Sequence, residues 1–95
     1  MIITVTLQAG LLQPEQLPDL IAAMPSAGGT EGIILSGRLP VWAFATLVHH
    51  FHPRPWVATY EPRLGLGVVV ASHTPAVVVG QTVPTDGHET LEVLF

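Results

Sequence analysis

Apolar residues along this chain fall into short blocks, and their spacing changes from block to block. Residues 1–8 (MIITVTLQ) are β-branched and partly alternating, which predicts a strand. Gly10 turns the chain. Pro14 and Glu15 open a helix, because a fixed φ and a negative charge both suit a first turn. Leu17, Leu20, Ile21 and Met24 are spaced for one helical face, and Pro25 with the SAGG run ends it. Residues 32–36 (GIILS) read as a short buried strand, and Ser36-Gly37-Arg38 as the turn after it. Pro40 suits the first position of a second helix that runs to about Phe51. That helix is apolar nearly all round, the pattern of a helix packed between a sheet and a partner. Its polar positions, Thr46, His49 and His50, share one face, and Pro53 ends it.

Residues 55–60 (PWVATY) predict a third strand, and Glu61-Pro62-Arg63-Leu64-Gly65 a tight connection. Residues 67–72 (GVVVAS) are a fourth strand, close enough to pair antiparallel with the third. Residues 76–79 read as a fifth, and residues 84–90 (PTDGHET) as a turn-rich end. The order β-α-β-α-β-β implies a small α/β domain. Its mixed sheet has parallel strands joined by right-handed crossovers and an antiparallel edge. Ligands of such sheets bind beyond the C-terminal ends of the parallel strands. Those ends carry Ser36-Gly37-Arg38 and Glu61-Pro62-Arg63.

Composition sharpens this picture. With 95 residues the chain makes one domain, and at 48% hydrophobic and 11% charged it has little charge to spread over a surface. A domain of this size buries roughly 60–65% of its unfolded surface, so a homo-oligomer is expected to cover the rest. The net charge of −4 argues against a nonspecific nucleic-acid binder, DNA included, which needs a basic surface. A small anionic ligand fits better, because the three arginines, Arg38, Arg54 and Arg63, all lie in the middle of the chain. Cysteine is absent, no signal peptide is visible, and no apolar run reaches the roughly 20 residues of a membrane helix. A cytoplasmic protein is the expectation. Residues 91–95 (LEVLF) resemble the recognition site of a rhinovirus protease used to remove purification tags. The expected division is therefore a domain over residues 1–90 and a tag scar over 91–95, with the native end of the chain unseen.

The scarce chemistry is concentrated. Residues 49–55 read HHFHPRP, so three of five histidines fall within four positions. His49, His50 and His52 are candidate metal ligands, and Glu61 is the nearest carboxylate; imidazole suits manganese, zinc and iron, and carboxylate shifts the preference toward manganese or magnesium. The structural alternative is a polar helix end, where histidine complements the C-terminal dipole. Ser36-Gly37-Arg38 before a helix is a candidate phosphate cradle, with an ordinary turn as the alternative. Arg63 is either a hairpin residue paired with Glu61 or a group that stabilises charge on a phosphoryl oxygen. His73 closes the fourth strand. No nucleophile elbow, P-loop, paired cysteines or HExxH motif is present.

These residues also carry a resemblance. The stretch GIILSGRLPVWAFATLVHHFHPRPWVATYEPRLGLGVVVASH, residues 32–73, resembles the third family of CRISPR-associated ring nucleases of type III antiviral systems. That family is marked by an ISGR-x-PIW segment, a histidine-rich helix end, AVYDPRLG and VVVxSH. The resemblance implies manganese-dependent, or otherwise divalent-cation-dependent, cleavage of the messenger cyclic tetra-adenylate. It implies a Rossmann-like fold and a homodimer, with two dimers sandwiching the ring and the active site split between them, and in some members a fused ATPase-like domain. Carried over by position, His52 and Glu61 become the metal or catalytic pair with Arg63 beside them. Ser36, Gly37 and Arg38 become ring-binding residues, with His49 and His73 as secondary ones. The family pattern has aspartate where this chain has Glu61, one methylene longer. Alternative functions are a non-catalytic cyclic oligoadenylate sensor, a 3′-end RNA deadenylase, and a structural oligomer with an incidental histidine cluster.

Overall fold

The computed structural model describes residues 1–95. It contains strands β1 (Ile2–Thr6), β2 (Ile33–Gly37), β3 (Trp56–Glu61), β4 (Leu66–Ser72), β5 (Thr82–Val83) and β6 (Thr90–Leu94). The helices are α1 (Leu17–Ala22) and α2 (Val41–His50), with a 3-10 turn at Pro14–Gln16. The sheet order is β5-β4-β3-β2-β1-β6. Strands β6, β1, β2 and β3 are parallel, and β4 and β5 add an antiparallel edge. This is the α/β mixed sheet that the alternating pattern predicts.

Both helices pack on one face. Leu20 of α1 and Ala43 and Leu47 of α2 share a core with Ile3, Val5, Ile33, Leu35 and Val57, and Phe51 closes it at the end of α2. Successive crossovers moving in one direction along a sheet put their helices on the same side when both are right-handed. The opposite face carries a smaller cluster of Ile34, Ala58, Val69 and Val83, against which Val77, Trp56 and Tyr60 pack. No helix is long and apolar enough to cross a membrane.

Three details depart from the sequence expectations. Regular helix begins at Leu17 rather than Pro14, because Pro18 has no amide hydrogen to donate and is tolerated only in a first turn. Residues 76–79 form no strand. Ser72 donates its hydroxyl to the Val77 carbonyl (2.6 Å), Gln81 accepts from the Val78 amide through its side chain (3.1 Å), and Gly80 at φ +92° turns the chain back. The valines' backbone therefore serves turns, and the fifth strand is the later Thr82–Val83, paired with Gly67 and Val68. Residues 91–95, set aside above as a scar, supply most of β6. That strand runs parallel to β1, bonded by Ile2 N–H to Glu89 O (2.8 Å) and Phe95 N–H to Thr6 O (2.9 Å), with Val93 buried.

Candidate functional site

The residues singled out from the sequence gather at two opposite ends of the sheet. The first group lies where β1, β2 and β3 run out. Beyond β1 and β2 is a cleft of about 510 Å³ lined by Thr4, Thr6, Leu7, Gly10, Gly37 and Arg38. Its size is within the range of small-ligand sites, roughly 300–1,000 Å³. Arg38 is exposed, and no side chain caps the N-terminus of α2, which starts at Val41. Gly37 has a structural reason of its own. Its φ is +137°, and an added Cβ would lie 2.3 Å from the carbonyl oxygen of Val5, its register partner in β1. The sheet itself therefore requires glycine here, whatever binds in the cleft. Thr4, Thr6, Leu7 and Gly10 were not singled out from sequence. The rule that ligands sit beyond parallel strand ends applies to β1 as much as to β2, and would have found them.

Glu61 and Arg63 stand at the same end, after β3. The Arg63 amide donates to Glu61 Oε2 (3.0 Å), Nε to the same oxygen (3.3 Å) and Nη2 to Oε1 (2.8 Å). Both readings of Arg63 thus begin from one geometry: it is paired with Glu61, and its side chain is exposed. The side-chain hydrogen bonds from Arg63, then its backbone N–H, hold the Glu61 carboxyl below the usual carboxylate range. The side-chain hydrogen bonds to Glu61, then its negative charge, raise the Arg63 pKa. The carboxylate is kept ionised, and about one of its roughly four lone-pair sites is left open.

The second group lies at the other end. The His49 and His52 rings stack with centroids 5.7 Å apart, and His73 meets His52 edge-on at 5.9 Å. Pairing of β3 with β4 makes this cluster, since the His73 amide donates to Pro55 O (2.7 Å) just before β3 begins. All three histidines are exposed. His50 is half-buried, edge-on to Phe51 at 4.8 Å, and its Nε2 is buried without a hydrogen-bond partner.

His52 and Glu61, expected as a pair, are not brought together within one chain. They flank opposite ends of β3, and five steps of a strand at roughly 3.3 Å each separate those ends by about 17 Å. No group of three or more His, Asp or Glu side chains is arranged to hold a metal ion. His52 and Glu61 of one chain therefore cannot share a metal ion. The donor types fit manganese only if a second copy brings its carboxylate to this copy's imidazoles. Arg54 also departs from expectation. It is 6% exposed and donates to the carbonyls of Ser26, Ala27 and Glu31, which removes it from any solvent-facing phosphate field.

The chain matches the family described as CRISPR-associated protein (Cas_csx3) over residues 5–84. That range takes in both helices, the strand ends that carry Arg38 and Glu61, and the histidine cluster. It is also similar to a protein of Aquifex aeolicus (strain VF5), described as an uncharacterized protein. The two are 44% identical over 55 residues, 58% of this chain and 50% of the relative. The match thus spans about half the length of that curated relative.

Proposed function

The chain belongs to the Cas_csx3 family of CRISPR-associated proteins, and from that premise we propose that it is a phosphodiesterase that linearises cyclic tetra-adenylate. The observation that carries the proposal is the division of the chemistry between two ends of one sheet. Each chain has an arginine-bearing end, with Ser36, Gly37, Arg38, Glu61 and Arg63. Each also has an imidazole end, with His49, His52 and His73. A complete site forms when the Glu61 end of one copy meets the His52 end of another across the ring. Such a contact joins two different surfaces, so it is heterologous rather than isologous. It makes a second copy part of the active site, within a pair of homodimers that enclose the ring, acting in the cytoplasm.

The roles follow from local chemistry. Arg38 and the uncapped start of α2 bind ring phosphates, by charge and by free amides. Arg63 holds Glu61 ionised and presents its exposed guanidinium to the charge that develops on the scissile phosphate. His52 gives or takes a proton or donates a ring nitrogen, with His49 and His73 packed beside it. A manganese ion, or another divalent cation, held between His52 and the other copy's Glu61 would supply Lewis-acid polarisation of a phosphoryl oxygen. A second reading is a sensor that binds the ring without cutting it. It is favoured by the near-complete occupation of Glu61 by Arg63, which leaves little room for a metal ligand.

Complementation between two inactive variants tests the split site. His52→Ala and Glu61→Ala proteins should each fail to linearise labelled ring with manganese. Mixed one to one, about a quarter of the contacts would join an intact His52 end to an intact Glu61 end, and that share of activity should return. A mixture as inactive as its components would overturn the split site. Tight ring binding with no linear product from the parent protein, at any divalent cation, would leave the sensor.

A further inference from the structure

The turn that carries His52 is clamped from beneath by a buried arginine. Phe51, with no exposed surface, anchors one side of the turn in the core. Arg54 closes it, its amide donating to Phe51 O (2.9 Å). The Arg54 side chain then runs back under the turn toward the α1–β2 loop. There Nη2 donates to Ser26 O (2.8 Å), Nε to Ala27 O (3.3 Å) and Nη1 to Glu31 O (3.4 Å), while Cζ lies 6.0 Å from the Phe51 ring centroid. All three acceptors are backbone carbonyls. The chain's side-chain ion pair is Glu61 with Arg63, so no carboxylate neutralises Arg54. Gly29 is shaped to this guanidinium. A Cβ there would lie 2.5 Å from Nη1 and 2.7 Å from Cζ.

We propose that Arg54 is a positioning residue for His52, fixing the imidazole by locking its turn to the 26–31 loop. The inference rests on the reading of His52 as a reactive residue. The physical case is that His52 has little else to hold it. It is exposed, its ring stacks on His49 and meets His73 edge-on, both of them exposed too, and its amide makes one long bond to His49 O (3.3 Å). Its direction is therefore set by the backbone of residues 51–55. Pro53 and Pro55 restrict that backbone in φ, and Arg54 fixes it in space. A planar fork with several donors reaches three carbonyls of one loop at once; an ammonium is a compact charge and cannot span them.

Two substitutions approach the clamp from opposite sides. Arg54→Lys keeps the stem and the charge but loses the fork. Gly29→Ala keeps Arg54 and pushes its guanidinium out, adding backbone strain in the 26–31 loop because φ is +155° at Gly29. Both proteins should give circular dichroism spectra like the parent's and bind the ring within about twofold, because the phosphate-binding residues lie at the other end of the sheet. Turnover at saturating ring should fall about 10- to 100-fold, the scale on which small misplacements act in catalysis. The imidazole resonances of His52 should shift and broaden in NMR spectra, with those of His88 unmoved. The NMR comparison needs no catalysis, so it stands even if the parent proves to be a sensor. Unchanged turnover and unchanged His52 resonances in folded Arg54→Lys protein would overturn the proposal. Equal losses of ring affinity and turnover would overturn it too, since they would place the effect in binding. If Arg54→Lys failed to fold, the clamp would be a determinant of the whole domain rather than of this turn, and the proposal would fail.

Discussion

Gly37 separates what a binding motif needs from what the fold needs. Its φ of +137° lies where residues with a Cβ are strained, and its Cβ position lies 2.3 Å from the Val5 carbonyl oxygen. A Gly37→Ala change would therefore meet two penalties. Strained backbone of this kind costs about 1–3 kcal/mol. A carbon and a carbonyl oxygen approach to about 3.3 Å at closest comfort, so β1 and β2 must part locally by nearly an ångström. That loosens their ladder at Val5 and Gly37, where each lost hydrogen bond costs about 1 kcal/mol. The sum is about 3–5 kcal/mol, a large part of a domain stability of about 5–15 kcal/mol. Gly65→Ala is the matched control. Gly65 has φ +66°, but nothing lies within 4 Å of its Cβ position, so only backbone strain of about 1–2 kcal/mol applies. At roughly 4–8 °C per kcal/mol for a domain of this size, Gly37→Ala should melt at least about 10 °C below the parent and clearly below Gly65→Ala. The assay is thermal and urea unfolding followed by circular dichroism, without ligand. If Gly37→Ala were as stable as Gly65→Ala, the contact with Val5 would not be limiting, and glycine at this position would be explained by a ligand alone.

Arg38→Ala should weaken ring binding at low salt by about 10- to 150-fold, the loss of one charge-assisted phosphate contact of about 1.5–3 kcal/mol. Turnover at saturation should be kept, and titration of labelled ring at two ionic strengths measures the effect, which salt should shrink. Arg63→Ala should let the Glu61 pKa rise toward the ordinary carboxylate range, read by NMR titration of its side-chain carbonyl. Because the folded pKa is depressed, the pair's contribution to stability is present above the ordinary value and is lost as pH falls through the folded one. The parent should therefore lose stability more steeply than Arg63→Ala below the ordinary carboxylate pKa. Identical acid unfolding curves would show that the pair contributes nothing.

Much of the fold was legible because periodicity and breakers agreed. The first strand alternates, the valine-rich fourth strand follows a Gly-containing turn, and Pro53 stops α2 where expected. The misses have definite physical sources. Pro18 delays α1 by constraining what precedes it. Residues 76–79 have strand composition, yet Ser72, Gln81 and Gly80 offer their backbone better partners in turns. Residues 91–95 resemble a protease site, and their hydrophobic side chains pair with the open parallel edge whatever their origin, so a place in the sheet leaves that resemblance as it stands. Arg54 could not be read at all. Its acceptors are backbone carbonyls 23 to 28 residues away, and carbonyls leave no mark on a sequence.

The separation of His52 from Glu61 was legible in principle, and it changes what the sequence motif means. In a β-α-β unit the helix runs back along the sheet, so its C-terminal end lies beside the start of the next strand. Any residue at the end of α2 therefore sits opposite any residue at the end of β3, however close they are in number. Nine positions separate His52 from Glu61, yet nearly the whole of β3 stands between them. His73 is twenty-one positions from His52 but shares its end of the sheet, because β4 returns antiparallel to β3. Nearness in sequence is therefore a poor guide to which of these residues share an end of one chain's sheet. If His52 and Glu61 act together, as proposed above, the length of β3 between them requires that they come from different copies. Catalysis would then depend on assembly, and at concentrations below the assembly constant activity should fall faster than in proportion to protein.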